Sequence, residues 1–201
     1  MNSTQMIFDR GGPEDTSVVG ELRTHVFMNN MEATLVTLDA IRAEHPYGFD
    51  CRDSLDRTAL EASCELQVSP EIMRVLLQPE NRMYGGHPND QYGYVDDETA
   101  LFKCVMCDRK HKTLMHREEA VIKVKMLLEC GANVSLSVHC DWIPLHKVGS
   151  MEMVKVLFKY GAEADINRMD WVGRTALMFS VQRGDIPISN FLLEHGADMS
   201  I

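Results

Sequence analysis

The sequence predicts an all-α solenoid, a stack of helix pairs joined by short turns, and three observations carry that reading. An apolar run closes three times on Gly-Ala followed by an acidic or amide residue, in residues 126–133, 156–163 and 191–198. Short apolar helices open at Thr58-Ala59-Leu60, Thr99-Ala100-Leu101, Ile143-Pro144-Leu145-His146 and Thr175-Ala176-Leu177, each ahead of a second apolar run. The composition, 45% hydrophobic and 25% charged with 14 Met and only 7% aromatic residues, suits helices packed on Leu, Val, Ile, Met and Ala more than a β-sandwich.

The exits make sense as helix C-termini. Gly131, Gly161 and Gly196 each follow an apolar-periodic run directly, at the position that usually turns left-handed and that Gly occupies without steric strain. A fourth run, residues 72–77, stops ahead of Pro79 instead. At the starts, a small polar residue followed by residues that fit the first turn signals a helix N-terminus. Second starts stand at Ser69-Pro70-Glu71 and Asp185-Ile186-Pro187, where the missing N–H of Pro does no harm. The unit is turn, helix, turn, helix.

This pattern resembles the ankyrin repeat, with its Thr-Pro-Leu-His-x-Ala signature and length of about 33 residues. The last unit carries the fullest set of features: Asp170-Trp171-Val172-Gly173-Arg174-Thr175-Ala176-Leu177 for turn and first helix, Gly184-Asp185 between helices and Gly196-Ala197-Asp198 at the exit. The resemblance implies a repeat domain over residues 18–201 after a flexible segment, residues 1–17. Its units are 18–52, 53–95, 96–137, 138–168 and 169–201, with hairpin-like finger turns between them. Unit one is atypical, as a capping repeat would be. Unit two replaces its exit with an insertion, residues 79–95, rich in Gly, Pro, Asn and Tyr; unit three holds an excess in residues 108–118; unit four is short between Leu145 and Gly161, so its first helix must be truncated.

Thirty acidic against twenty basic side chains give a formal charge of −10, which repels nucleic acid and anionic lipid. Six Cys lie inside apolar segments, too sparse for a disulfide scaffold, and point to a reducing compartment: the cytoplasm, with the nucleus as the alternative. Residues 1–17 lack a basic stretch followed by an apolar one, so they do not resemble a secretory signal. No window approaches the roughly 20 apolar residues that span a bilayer.

Residues with catalytic or metal-binding chemistry are present without the arrangement that uses them. Cys104, Cys107, His111 and His116 have C-x₂-C-x₃-H-x₄-H spacing, which zinc could use. The repeat register, however, puts Cys104 at a small buried position held by Ser63 and Ser180 in other units, followed by a basic, polar loop. A buried thiol is therefore expected, with no metal and no cofactor. No Ser or Cys is joined to a His and an orienting carboxylate in a local motif, and Gly11-Gly12 and Gly85-Gly86 lack the strand and helix of a phosphate cradle. No catalytic residue is assigned. His146 matches the His of the repeat signature, which the resemblance makes a tie for the adjacent turn.

Function then rests on surface. The resemblance implies binding of a protein partner by the concave groove of fingers and first helices. By register the partner-binding residues are Asp53, Asp56, Arg57, Asp97, Phe102, Asp141, Trp142, Asp170, Trp171, Arg174 and Met178. Glu61, Glu65 and Gln182 face the same way. Such a wall is acidic with two Trp near one end, and a basic protein partner is expected. The function read from the sequence is a non-catalytic intracellular adaptor. The alternatives are a cytosolic ankyrin segment of a larger channel or multidomain enzyme, and, further off, a small zinc protein.

Overall fold

The computed structural model describes residues 18–46, 52, 57–65, 67–84, 86–92, 97–110 and 114–201. The N-terminal segment expected to be flexible lies outside them.

Five helix pairs follow one another among the described residues. They are α1 (Val18–Phe27) with α2 (Met31–Glu44), α3 (Ala59–Ser63) with α4 (Pro70–Leu76), and α5 (Ala100–Lys110) with α6 (Leu114–Glu129). The 3₁₀ turn Pro144–Lys147 then pairs with α7 (Met151–Lys159), and α8 (Ala176–Gln182) with α9 (Ile186–Glu194). The first members touch in series, α1 on α3, α3 on α5, α5 on the 3₁₀ turn and that turn on α8; the second members do likewise from α4 to α6, α7 and α9. This is a two-layered all-α solenoid.

The starts are capped as their chemistry requires. The hydroxyls of Thr58, Thr99 and Thr175 accept hydrogen bonds from the backbone N–H of Glu61, Phe102 and Met178 at 3.1, 3.1 and 3.4 Å. Unit four has Ile143 at this position and no hydroxyl to offer. Its first helix is reduced to a 3₁₀ turn, and the ring of His146 supplies the acceptor for Ile143 N–H instead, at 3.3 Å. Gly131, Gly161 and Gly196 end their helices at φ of +92°, +97° and +93°.

Two asparagines tie neighbouring pairs together across these exits. Asn89 donates to the carbonyl of Gly131 and accepts from Asn133 N–H at 2.9 and 2.6 Å; Asn167 does the same with Gly196 and Asp198 at 3.2 and 2.8 Å. Each side chain satisfies backbone groups that a helix end leaves unpaired.

The described parts of the insertions have regular structure. After α4 a 3₁₀ helix, Pro79–Tyr84, packs on α2, and β1 (Gln91–Tyr92) pairs antiparallel with β2 (Glu98–Thr99) to make the finger ahead of α5. The excess expected as a basic, polar loop in residues 108–118 is largely helix, because α5 continues to Lys110 and α6 begins at Leu114. Residues 108–118 contain no Gly or Pro, and seven of the eleven are the helix formers Arg, Lys, Leu, Met or Glu, so added length enters as helical turns.

The core runs unbroken between the layers, from Leu22 and Leu38 through Leu60, Ile72, Leu101, Leu127, Ile143 and Leu157 to Leu192. Ser63, Cys104 and Ser180 are all fully buried at equivalent places. Cys104 lies with Cys64 and Cys107 in this core.

Candidate partner-binding site

The last two fingers are joined through one carboxylate. Asp170 and Arg174 close a turn at 2.9 Å, Asp170 N–H to Arg174 carbonyl, with Gly173 at φ +85°. The buried Asp170 carboxylate accepts from Val172 N–H (3.0 Å) and Arg174 N–H (2.8 Å) in its own turn. It also accepts Arg174 Nε and Nη2 at 2.9 and 2.7 Å, and Trp142 Nε1 of the preceding finger at 3.0 Å. Burial alone would raise this carboxyl. The hydrogen bonds from Arg174, Trp142 and Val172 outweigh it and hold the group well below the usual carboxylate range.

The preceding finger is fixed from both sides. Val138 N–H donates to the Trp142 carbonyl at 2.8 Å and Trp171 N–H to that of Cys140 at 3.2 Å. Beneath it, His146 Nε2 donates to the carbonyl of Arg168 at 2.8 Å while Nδ1 accepts from Ile143. Both ring nitrogens are satisfied in the neutral form. Burial lowers the imidazole from its ordinary value, so His146 ties the turn as a neutral group.

Between these fingers and the first-layer elements lies a cleft of about 380 Å³ lined by Arg109, Trp142, Lys147, Arg174, Phe179, Gln182 and Arg183. Lys147 Nζ stands 3.2 Å over the centroid of the Trp142 ring and 4.6 Å from that of Phe179. Arg174 Cζ lies 4.6 Å from the same Phe179 ring. Burial, together with Arg109, Arg174 and Arg183, pushes the Lys147 ammonium down to about 8, against the pull of Asp170. Arg109 is set in place by its neighbour. The fully buried Asp108 accepts from Gly149 N–H at 3.2 Å and from the Ser150 hydroxyl at 3.0 Å, bringing Gly149 against the Arg109 backbone.

The residues expected at the groove separate accordingly. Trp142 and Arg174 line the cleft, with Asp170 beneath them; Gln182 lines it too. Trp171 is 67% exposed on the finger above, and Met178 and Asp141 are also exposed. Phe102 is buried, so it offers no open surface to a partner. Glu61 is buried as well, bonded by Arg23 at 3.1 Å and by Lys103, so it joins pairs one, two and three instead of facing a partner. Asp97 is exposed at φ +43° and Arg57 is half-buried, both away from the cleft lining. Asp53 and Asp56 lie outside the described residues.

The cleft residues that register missed are Arg109, Lys147, Phe179 and Arg183. A signal for three of them was present: a cation stands at or just after the end of each first element in units three to five, where the helix dipole favours it. This end of the wall is basic and aromatic rather than acidic. Among the described residues no cluster of His, Cys, Asp or Glu has metal-holding geometry, and no helix is long and apolar enough to cross a membrane.

Comparison with known proteins agrees with this architecture. Residues 118–201 match the model of the ankyrin repeats family, in three copies. The probable 26S proteasome regulatory subunit p28 of Saccharomyces cerevisiae is 35% identical over 81 residues. The match covers 37% of this chain and 36% of that relative, so the chain spans about a third of its length.

Proposed function

Since this chain is an ankyrin-repeat protein, we propose that it is a non-catalytic intracellular adaptor that holds a protein partner against the fingers and first-layer elements of its third to fifth repeats. Ankyrin repeats imply protein–protein interaction in general; the finer reading rests on one observation. Trp171 is two-thirds exposed on a finger whose backbone is pinned to its neighbour, in the same repeat as the exposed Met178 and the cleft residue Arg174. A large aromatic side chain presented on a rigid turn loses little freedom on binding and makes a natural hot spot. The buried acid–base groups here, Asp108, His146 and Asp170, are each engaged in structural hydrogen bonds, which supports a binding rather than a catalytic role. A reducing compartment, cytoplasm or nucleus, suits the buried free thiols of Cys64, Cys104 and Cys107. We read residues 18–201 as one repeat domain with the five units given above.

The test is partner capture from native extract followed by quantitative binding of the captured protein. Trp171→Ala and Met178→Ala should weaken it, while Lys155→Ala on the exposed side of α7 should not. Loss on altering Lys155 with Trp171→Ala silent would move the site to the opposite face.

A second reading follows from the likeness to yeast p28, whose name places it with the regulatory part of the 26S proteasome. On that likeness, a subunit of a large protein assembly is the partner class to examine first. Co-sedimentation of the chain with proteasomal particles supports it, and migration free of them opposes it.

A further inference from the structure

The cleft between the third and fifth repeats is a concentration of positive charge on a chain whose formal charge is −10. Arg109, Lys147, Arg174 and Arg183 converge on it from three successive repeats, with Trp142 and Phe179 as apolar walls. Among the described residues the carboxylate hydrogen-bonded into this network, Asp170, is fully buried beneath it and is saturated by Arg174, Trp142 and the turn backbone, while Asp185 acts on Arg183 from a distance. Among the described residues no carboxylate lies within ion-pairing distance of Arg109, Lys147 or Arg183.

Such an arrangement is unfavourable when empty. Three like charges are gathered around Lys147, whose ammonium is partly removed from water and covered by the Trp142 ring. Arg183 too is disfavoured, by burial and by the nearby Arg109, against the pull of Asp185. An anion entering the cleft would relieve this repulsion and meet donors already in position, with no need to reorganise them. Arg109 and Arg183 are exposed as residues, so the cleft is open to solvent at its rim.

We propose that this cleft receives the carboxylate side chains of an acidic segment of a protein partner, with Arg109, Lys147 and Arg183 as the anion-binding residues and the walls of Trp142 and Phe179 against the methylene stems. The proposal rests on the interaction reading above and gives the partner its chemistry at this point. It replaces the basic partner expected from register with an acidic one. A polynucleotide is disfavoured because the cations fill one cleft rather than a stripe, and the acidic remainder of the chain repels a long polyanion.

The experiment titrates the full chain with fluorescein-labelled hexaglutamate, followed by anisotropy and by the indole N–H resonance of Trp142, at low and at physiological ionic strength. Hexaglutamine and a singly phosphorylated, otherwise neutral serine peptide are the comparison probes. Saturable hexaglutamate binding that shifts the Trp142 resonance and weakens with salt is expected, with hexaglutamine silent. Arg109→Glu/Arg183→Glu should weaken it at least tenfold with an unchanged helical melt. If that variant does not fold, Arg109→Gln/Arg183→Gln, which removes the charges without reversing them, should weaken binding by the same sense.

Equal binding by wild type and variant, or no binding of hexaglutamate, overturns the assignment. Tenfold tighter binding of the phosphopeptide also overturns it, in favour of a phosphate site. A captured natural partner that needs Trp171 but tolerates Arg109→Glu/Arg183→Glu would sink this inference while leaving the adaptor reading in place.

Discussion

The indole N–H of Trp142 donates to the carboxylate of Asp170 at 3.0 Å, so a side chain of one finger is bonded to the anchoring carboxylate of the next. Trp142 is thereby held as a wall of the cleft, and Asp170 is committed to structure rather than to steering a partner.

Asp170→Ala should accordingly lower stability. The loss should be about 2 kcal/mol, the lower end for a buried charge network because Arg174 is itself more than a third exposed. The folded-state carboxyl is depressed, so its stabilising contribution is fully present above the unfolded value near ~3.9 and disappears as pH falls through the folded value. Urea unfolding should therefore show a wild-type advantage at pH 6 that narrows below about pH 4. A constant difference down to strongly acidic pH would mean that the ionised carboxylate is not the stabilising form.

His146 also loses its contribution as pH falls, but nearer neutrality. Its folded value is lowered by burial, so the unfolded chain takes the proton first and stability declines as pH falls below about 6.5 toward the folded value. Thermal melts at pH 7.5 and 5.5 should differ more in wild type than in His146→Gln. Proton NMR should find this ring still neutral at a pH where exposed histidines are charged.

The two tryptophans should separate stability from binding. Trp142→Ala removes a hydrogen bond to a buried carboxylate and the cover of Lys147, and should destabilise by about 2 kcal/mol. Trp171→Ala should leave stability within about 0.5 kcal/mol, since the side chain is largely exposed, while weakening partner binding by about 2 kcal/mol through faster dissociation. Denaturation and surface plasmon resonance on the same two variants decide this.

Gly149→Ala tests the joint between repeats three and four. A Cβ there would meet the Arg109 Cα at 2.5 Å, so the backbone would have to move and stability should drop by about 1–3 kcal/mol. Because Arg109 moves with it, hexaglutamate binding should fall even at temperatures where the variant remains folded.

Zinc should not bind stoichiometrically to the reduced protein. Cys104 and Cys107 are buried in the core beside Cys64, whose thiol is pushed well up by burial and by its two neighbours, whereas a zinc ligand must be a thiolate. Equilibrium dialysis with metal analysis should find none retained after a chelator wash, with helical circular dichroism unaltered. One retained equivalent whose removal unfolds the chain would contradict this.

Sequence alone determined the helix pairs, their caps and their order, because the chemistry of Thr58, Thr99, Thr175 and the exit glycines acts within a few residues of chain. It also determined that unit four must be short, since the missing residues are a local fact, while the turn-tying role of His146 was implied by the resemblance to the repeat signature. What only the tertiary structure decided is the character of the binding face. Counting finger residues made Asp170 part of an acidic wall, yet its charge is absorbed by Arg174 four positions on and by Trp142 from another repeat. Phe102 and Glu61 read by register as groove residues, but both are buried, Glu61 under Arg23 and Lys103 of the neighbouring repeats. Arg109, Lys147 and Arg183 stand 38 and 36 positions apart and look like ordinary surface cations in the chain. They become one electrostatic site because stacking brings the ends of successive first-layer elements side by side, and the field at a point depends on distance in space rather than along the sequence.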